Sequence, residues 1–193
     1  MTLEHWYRLP LQINTDAFSH GQVVSKIWLC EELEQYLEAQ SNLFILGGWY
    51  NVLGFMLLTR RPDHYKTIYN LDMDPTAIKV ANKITDAWHR VENITVDAND
   101  ILTMDPVTDT VINCSVEHFD NNAWFDKLPS GTLCCIQSSN MTDPEEPWLI
   151  KQPNPDIQAF MARFPMKETL FLGTKKITYY NWGYDRYMII GRK

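Results

Sequence analysis

Much is missing from this 193-residue chain. Only four residues are cysteine, Cys30, Cys114, Cys134 and Cys135, and none form a C-x-x-C pair, so neither a disulfide framework nor a four-thiolate zinc site is expected. Cys114, Cys134 and Cys135 fall in apolar runs, where a thiol behaves as a small hydrophobe. No apolar run is long enough to span a bilayer, and no membrane partner is expected. The opening M-T-L-E-H-W-Y-R-L-P lacks the basic-then-apolar order of a secretory leader, so the expectation is a cytoplasmic protein. There is no internal repeat or low-complexity tract. Positive charge is also short: 17 Lys and Arg stand against 24 Asp and Glu, a net charge of −7. Bulk nucleic acid repels such a chain unless one face is locally basic. The pairs Arg60-Arg61 and Lys175-Lys176, and Arg186 with Arg192-Lys193, leave a nucleic-acid partner open but not favoured.

What is present is a core. Hydrophobic residues make up 45% of the chain and aromatic residues 12%, enough for one ordinary domain. Leu33, Tyr36 and Leu37 recur at helical spacing among four glutamates, which predicts an amphipathic helix from about Ser19 to Gln40, ended by Ser41-Asn42. Leu43 to Leu46 is wholly apolar and suits a strand buried on both faces. Gly47-Gly48 breaks it, and Asn51 to Thr59 reads as a helix. Thr67 to Leu71 is a second strand. Asp74 and Pro75 then start a helix that runs to about His89, with Asp74 as N-cap and Pro75 at the first position. Asn93–Val96, Thr110–Cys114 and Thr132–Ser138 are further strands, and Asn122–Lys127 is a short helix. Residues 139–156 form a long loop containing Trp148, and Ile157–Phe164 is a helix. Lys167–Leu172 and Tyr184–Gly191 are two last strands. Alternating strands and helices predict an α/β domain with a mostly parallel sheet, helices on both faces and an antiparallel C-terminal hairpin at one edge. Residues 1–42 read as a helical extension that packs on the domain formed by 43–193.

In such a sheet, ligands bind beyond the carboxyl ends of the strands. Four segments converge there. Gly47-Gly48 permits a tight turn and close ligand approach, and the helix start at Asn51 offers unpaired N–H groups to a carboxylate. Asp72 ends the second strand, where a carboxylate can accept from two ribose hydroxyls, as the acid of dinucleotide-binding folds does; it can also cap the next helix. Met73 follows it. Asp97 and the Ala98 N–H can pair with an adenine edge, with Asp100 as a competing acid. Asn113 ends the fourth strand and leads into Cys114-Ser115-Val116-Glu117-His118. The G-x-G-x-x-G of dinucleotide-dependent oxidoreductases is absent.

Taken together, L-F-I-L-G-G-W-Y-N, Y-N-L-D-M-D-P, D-A-N-D-I-L and D-T-V-I-N-C-S-V-E-H-F resemble the class I S-adenosylmethionine-dependent methyltransferases from about Leu43 to Ser138. The resemblance implies a single Rossmann-like domain with a seven-stranded sheet, and S-adenosyl-L-methionine as cofactor. It places Gly47 beside the methionine part, Asp72 at the ribose, and Asp97 and Ala98 at the adenine, with Gly48, Trp49, Asn51, Met73 and Asn113 as further cofactor-binding residues. The chain departs from the family's G-x-G-x-G, whose second and third glycines align with Trp49 and Asn51. Phe44 and Ile45 occupy the region where the family carries an acid. The Glu117-His118 pair is not the N-P-P-Y of amino-methylating DNA enzymes, and it resembles a sequence of several small-molecule O-methyltransferases and of a 2′-hydroxyl RNA methyltransferase family. His118 can act as a general base with Glu117, or the pair can shape the pocket. A metal is not expected, because His5, His20, His64 and His89 lie outside this segment. Trp148, Tyr180 and Trp182 are candidate walls for a small or exposed methyl acceptor. Transfer of an aminocarboxypropyl group and a non-catalytic adenosyl-binding subunit are the alternatives.

Overall fold

The structure is a computed structural model, and it describes residues 13–103, 109–142 and 149–193. Its centre is one seven-stranded sheet in the order β3-β2-β1-β4-β5-β7-β6. The strands are β1 (Ser41–Leu46), β2 (Tyr65–Asp72), β3 (Val91–Thr95), β4 (Thr110–Asn113), β5 (Leu133–Ser139), β6 (Glu168–Thr178) and β7 (Gly183–Arg192). β3, β2, β1, β4 and β5 are parallel to one another. β7 runs antiparallel to both β5 and β6. The central strands β1, β4 and β5 are buried along their whole length, as continuous apolar runs require when helices cover both faces.

Alternation along those strands sorts the core into two layers. Leu43, Ile45, Ile68, Ile112, Cys135 and Met188 face α1 (His20–Leu33) and α2 (Val52–Arg60), which contribute Leu29, Leu33, Leu53 and Leu57. Phe44, Leu46, Val111, Cys134, Ile136 and Ile189 face α4 (Ala123–Asp126) and α5 (Ile157–Arg163), where Trp124, Phe125, Phe160 and Phe164 pack edge to face. α3 (Pro75–Ile84) lies beside α2, with Asp74 capping it through the Thr76 N–H and Pro75 in its first turn.

Burial pushes the thiols of Cys30 and Cys134 up to about 12, and Cys135 well above its ordinary value, so these are packing residues and not nucleophiles. No helix among the described residues is long and apolar enough to cross a membrane.

Several boundaries differ from the sequence reading. α1 ends at Leu33, and the polar pair Ser41-Asn42 opens β1 instead of closing the helix. That pair is buried because Ser41 Oγ donates to the Glu38 carbonyl at 2.7 Å and the Asn42 N–H donates to Asp109 at 2.9 Å. β1 therefore starts within residues 1–42, and α1 packs into the same core as the sheet. α3 stops five residues before His89, where Thr85 Oγ1 bonds back to the Ala81 carbonyl. The two last strands are longer than their apolar stretches, since Gly173–Thr178 continues β6 and only residues 179–182 turn. β6 is an edge strand whose polar residues, Lys175 and Lys176 among them, hide its β alternation.

Candidate functional site

The turn after β1 carries the first part of the site. Gly47, Trp49 and Asn51 have φ of 59°, 52° and 56°. These are the three positions that the family's motif fills with glycine. The backbone is left-handed at each, although only the first is glycine, and the cost for a non-glycine residue is about 1–2 kcal/mol. Neighbouring groups hold the turn in place. The Gly48 N–H donates to the Leu71 carbonyl at 3.2 Å, and the Trp49 N–H donates to Asp72 Oδ2 at 2.9 Å. Asn70 Nδ2 reaches the Trp49 carbonyl at 3.4 Å. A Cβ on Gly48 would sit 1.9 Å from Asn70 Oδ1 and 2.9 Å from Ile45 Cγ2, so any other residue there must displace the Asn70 side chain. A Cβ on Gly47 would sit 3.1 Å from the ring of Phe119, which leans over the turn from the far side.

Asp72 is half-buried at the end of β2. Its two carboxylate oxygens each accept one backbone N–H, from Trp49 and from Asp74, both at 2.9 Å. Burial raises its pKa, the two backbone donors oppose that, and Asp74 adds to the rise. Each oxygen keeps a further lone pair, so the group can still accept from a pair of hydroxyls. Met73 beside it is 73% exposed. Asn51 is fully buried and serves as a cap: its Oδ1 accepts from the Gly54 N–H at 3.2 Å, and its Nδ2 donates to Asn93 at 3.0 Å. Its side chain is therefore turned into the fold. Trp49 stacks on Tyr50 with ring centroids 4.6 Å apart. At the end of β3, Asp97 is exposed and accepts from the backbone and side chain of Asn99 at 2.8 and 3.0 Å, and Ala98 is buried beside it.

Asn113 ends β4 between Leu46 of β1 and Ile136 of β5. It is fully buried, and its Oδ1 accepts from the Ser115 N–H at 3.1 Å. That bond fixes the amide, and its Nδ2 donor has no partner among the described residues. A buried donor left unmet costs about 1–3 kcal/mol, which a ligand atom can recover.

Glu117 and His118 part company in space. Glu117 is 2% exposed and fully engaged. Its carboxylate accepts from Ser138 Oγ at 3.1 Å, from Ser139 Oγ at 3.0 Å and from Arg186 Nη1 at 3.1 Å. Its carbonyl accepts from the Lys151 and Gln152 N–H groups at 2.8 and 3.0 Å. The carboxylate is thus in a buried ion pair with β7 and bonded to β5, and the carbonyl of the same residue holds residues 151–152. His118 is exposed, with Nδ1 2.7 Å from the Leu149 carbonyl. A carbonyl only accepts, so Nδ1 carries the proton and Nε2 is the basic nitrogen of the neutral ring. Asn154 Nδ2 donates to Ser138 Oγ at 2.6 Å, and Lys151 pairs with Asp120 at 2.6 Å, so residues 149–154 are tied down. Among the described residues, no three His, Cys, Asp or Glu side chains gather as a metal site.

Of the expected walls, Tyr180 is fully exposed and Trp182 half exposed, both at the β6–β7 turn beyond the carboxyl end of β5. Trp182 stacks on Tyr179 at 4.4 Å. Trp148 lies outside the described residues. A cavity of about 380 Å³ lies elsewhere, at the amino edge of the sheet around Asp109, Gly131 and Arg192. The sequence reading missed Asn70, Phe119, Ser138, Ser139 and Arg186. Asn70 had a signal, since it lies two residues before Asp72 and so on the same side of β2. Arg186 had none, being 69 residues from Glu117.

No protein-family model matches this sequence, and no curated protein matches it. Solved structures do. The N-methyltransferase NodS from Bradyrhizobium japonicum, solved with S-adenosyl-L-homocysteine, superposes with a TM-score of 0.70 at 13% identity, covering 98% of this chain and 96% of that one. The chain has the class I methyltransferase fold. The YcgJ protein from Bacillus subtilis shares it at a TM-score of 0.65 and 9% identity, over 88% and 97% of the two chains. An rRNA methylase from Streptococcus thermophilus does so at 0.57 and 13%, over 88% and 95%. In the class I fold seen here, the Gly47 turn, Asp72, Asp97 and Asn113 all stand at the carboxyl edge of the parallel strands.

Proposed function

We propose that this chain binds S-adenosyl-L-methionine at that edge and transfers its methyl group to a small or exposed acceptor. The observation that carries the reading is the left-handed turn at Gly47, Trp49 and Asn51, bonded through the Trp49 N–H to Asp72. The bound cofactor supplies a methyl group on a sulfonium and leaves as S-adenosylhomocysteine. Asp72 accepts from the ribose hydroxyls with the lone pairs that its two backbone bonds leave over. Gly47 and Gly48 let the ligand approach the backbone, and Trp49 lines the pocket. Asp97 and Ala98 hold the adenine. Asn113 offers its unmet Nδ2 donor to an oxygen of the bound pair. Met73 covers the open side.

Methyl transfer from a sulfonium needs little acid–base help when the acceptor is already nucleophilic, and alignment supplies much of the rate. Glu117 contributes by holding the loop, and His118 by fixing Leu149 while it presents Nε2 to the solvent side. Nucleic acid as the acceptor stays a weaker reading on a chain of net charge −7.

Product mass is the test. S-adenosylhomocysteine and an acceptor heavier by one methyl group support the proposal. Methylthioadenosine would reassign the chain to aminocarboxypropyl transfer, and failure to bind any adenosyl ligand would make it a non-catalytic subunit.

A further inference from the structure

One cation near the carboxyl ends of β4 and β5 and the amino end of β7 has no counterion among the described residues. Lys26 stands on α1, half-buried, with its ammonium on the side chain of Gln22 one turn earlier. α1 is anchored at this spot, because Gln137 of β5 donates to the Ser25 carbonyl at 3.1 Å and the Gly21 N–H donates to Tyr179 Oη at 3.0 Å. The Lys26 charge is within electrostatic reach of Cys114, just past β4, of Arg186 on β7 and of Asp16 ahead of α1. Five ion pairs occur among the described residues, and Lys26 belongs to none of them. The other buried cation here, Arg186, is already committed to Glu117.

Burial therefore lowers the Lys26 pKa, Arg186 pushes it the same way, and Cys114, Asp16 and Cys30 oppose them only in part. A half-buried ammonium without a counterion is an unfavourable arrangement that an anionic ligand corrects. The rim next to it is aromatic, with Tyr179, Trp182 and Tyr184 in a continuous stack.

We propose that Lys26 is the acceptor-reading residue of this site, and that the methyl acceptor carries an anionic oxygen group, a carboxylate or a phosphate, that pairs with it. The inference rests on the methyltransferase reading for the word acceptor, and it names the substrate class of that same site.

Thermal unfolding of the full chain tests it in phosphate, acetate or chloride at matched ionic strength, for the native protein, Lys26→Met and Lys26→Arg. Phosphate, acetate or both are expected to raise the midpoint of the native protein by about 2–4 °C over chloride, the scale of a ligand worth about 1 kcal/mol. The rise should vanish in Lys26→Met and persist in Lys26→Arg. Phosphate alone assigns a phosphoryl acceptor, and acetate alone a carboxylate. No rise in the native protein, or an equal rise in Lys26→Met, overturns the proposal. S-adenosylhomocysteine titrated into the same samples keeps the two readings apart. Its failure to bind removes the methyltransferase reading without touching the anion result, and equal binding to the native protein and Lys26→Met certifies the variant's fold.

Discussion

The two halves of the carboxyl edge are built on different principles. On the β1–β2 side, the turn at Gly47 to Asn51 is held by backbone donors, one carboxylate and two side-chain amides, with no ion pair inside it. On the β4–β5–β7 side, Glu117 and Arg186 form a buried ion pair with Ser138, Ser139 and a loop hung from it. The first half leaves groups over for a ligand: lone pairs on Asp72 and the buried Oδ1 of Asn70, which has no partner among the described residues. The second pairs the charges of Glu117 and Arg186 with each other, and leaves over the Asn113 amide donor and the Lys26 ammonium beside them. Residues of catalytic type are therefore a poor guide to chemistry here, and unmet hydrogen-bonding capacity is a better one.

The sharpest way to break this contrast is to remove a charge from the second half. Glu117→Ala leaves Arg186 buried without its partner, and the expected loss is about 3–5 kcal/mol of stability. Denaturant unfolding measures it. A loss under 1 kcal/mol with a large fall in turnover would return Glu117 to a catalytic role. In the first half, Gly48→Ala forces its Cβ against Asn70 and should cost about 1–3 kcal/mol while displacing the turn. Adding Asn70→Ser should recover part of that loss, and a double variant no better than the single one would place the clash elsewhere. His118→Ala is expected to have the smallest effect. KM for the acceptor should rise a few-fold through the freed Leu149, with kcat little changed. A drop in kcat of about 10²-fold or more, with loss of a neutral limb in the pH profile, would make His118 a general base.

The sequence disclosed what depends on local pattern. The apolar run Leu43–Leu46, the Asp74-Pro75 helix start and the order of strands and helices follow from periodicity and capping, and the sheet reproduces them. It concealed what depends on partners far away in the chain. Ser138, Ser139 and Arg186, the partners of Glu117, are 21 to 69 residues distant and invisible to local pattern. Ser41-Asn42 looked like a helix end because Asp109, which lets Asn42 be buried, is 67 residues away. Trp49 and Asn51 read as departures from a glycine motif, and the backbone at both is in the left-handed region that favours glycine. Side-chain identity is legible from sequence and φ is not.

The central claim is that the Gly47 turn and Asp72 form an adenosyl site, and calorimetric titration of S-adenosylhomocysteine into the native chain and Asp72→Ala tests it most directly. The native chain should bind one equivalent, and Asp72→Ala should bind about 5- to 150-fold more weakly, the equivalent of 1–3 kcal/mol. Ribose hydroxyls donate to the ionised carboxylate. Affinity in the native chain should therefore be full at neutral pH and fall as the pH drops through the Asp72 pKa, which burial has raised above its usual 3.8. Asp72→Ala should lose that dependence. No binding to the native chain, or equal affinity in a folded Asp72→Ala, would contradict the account.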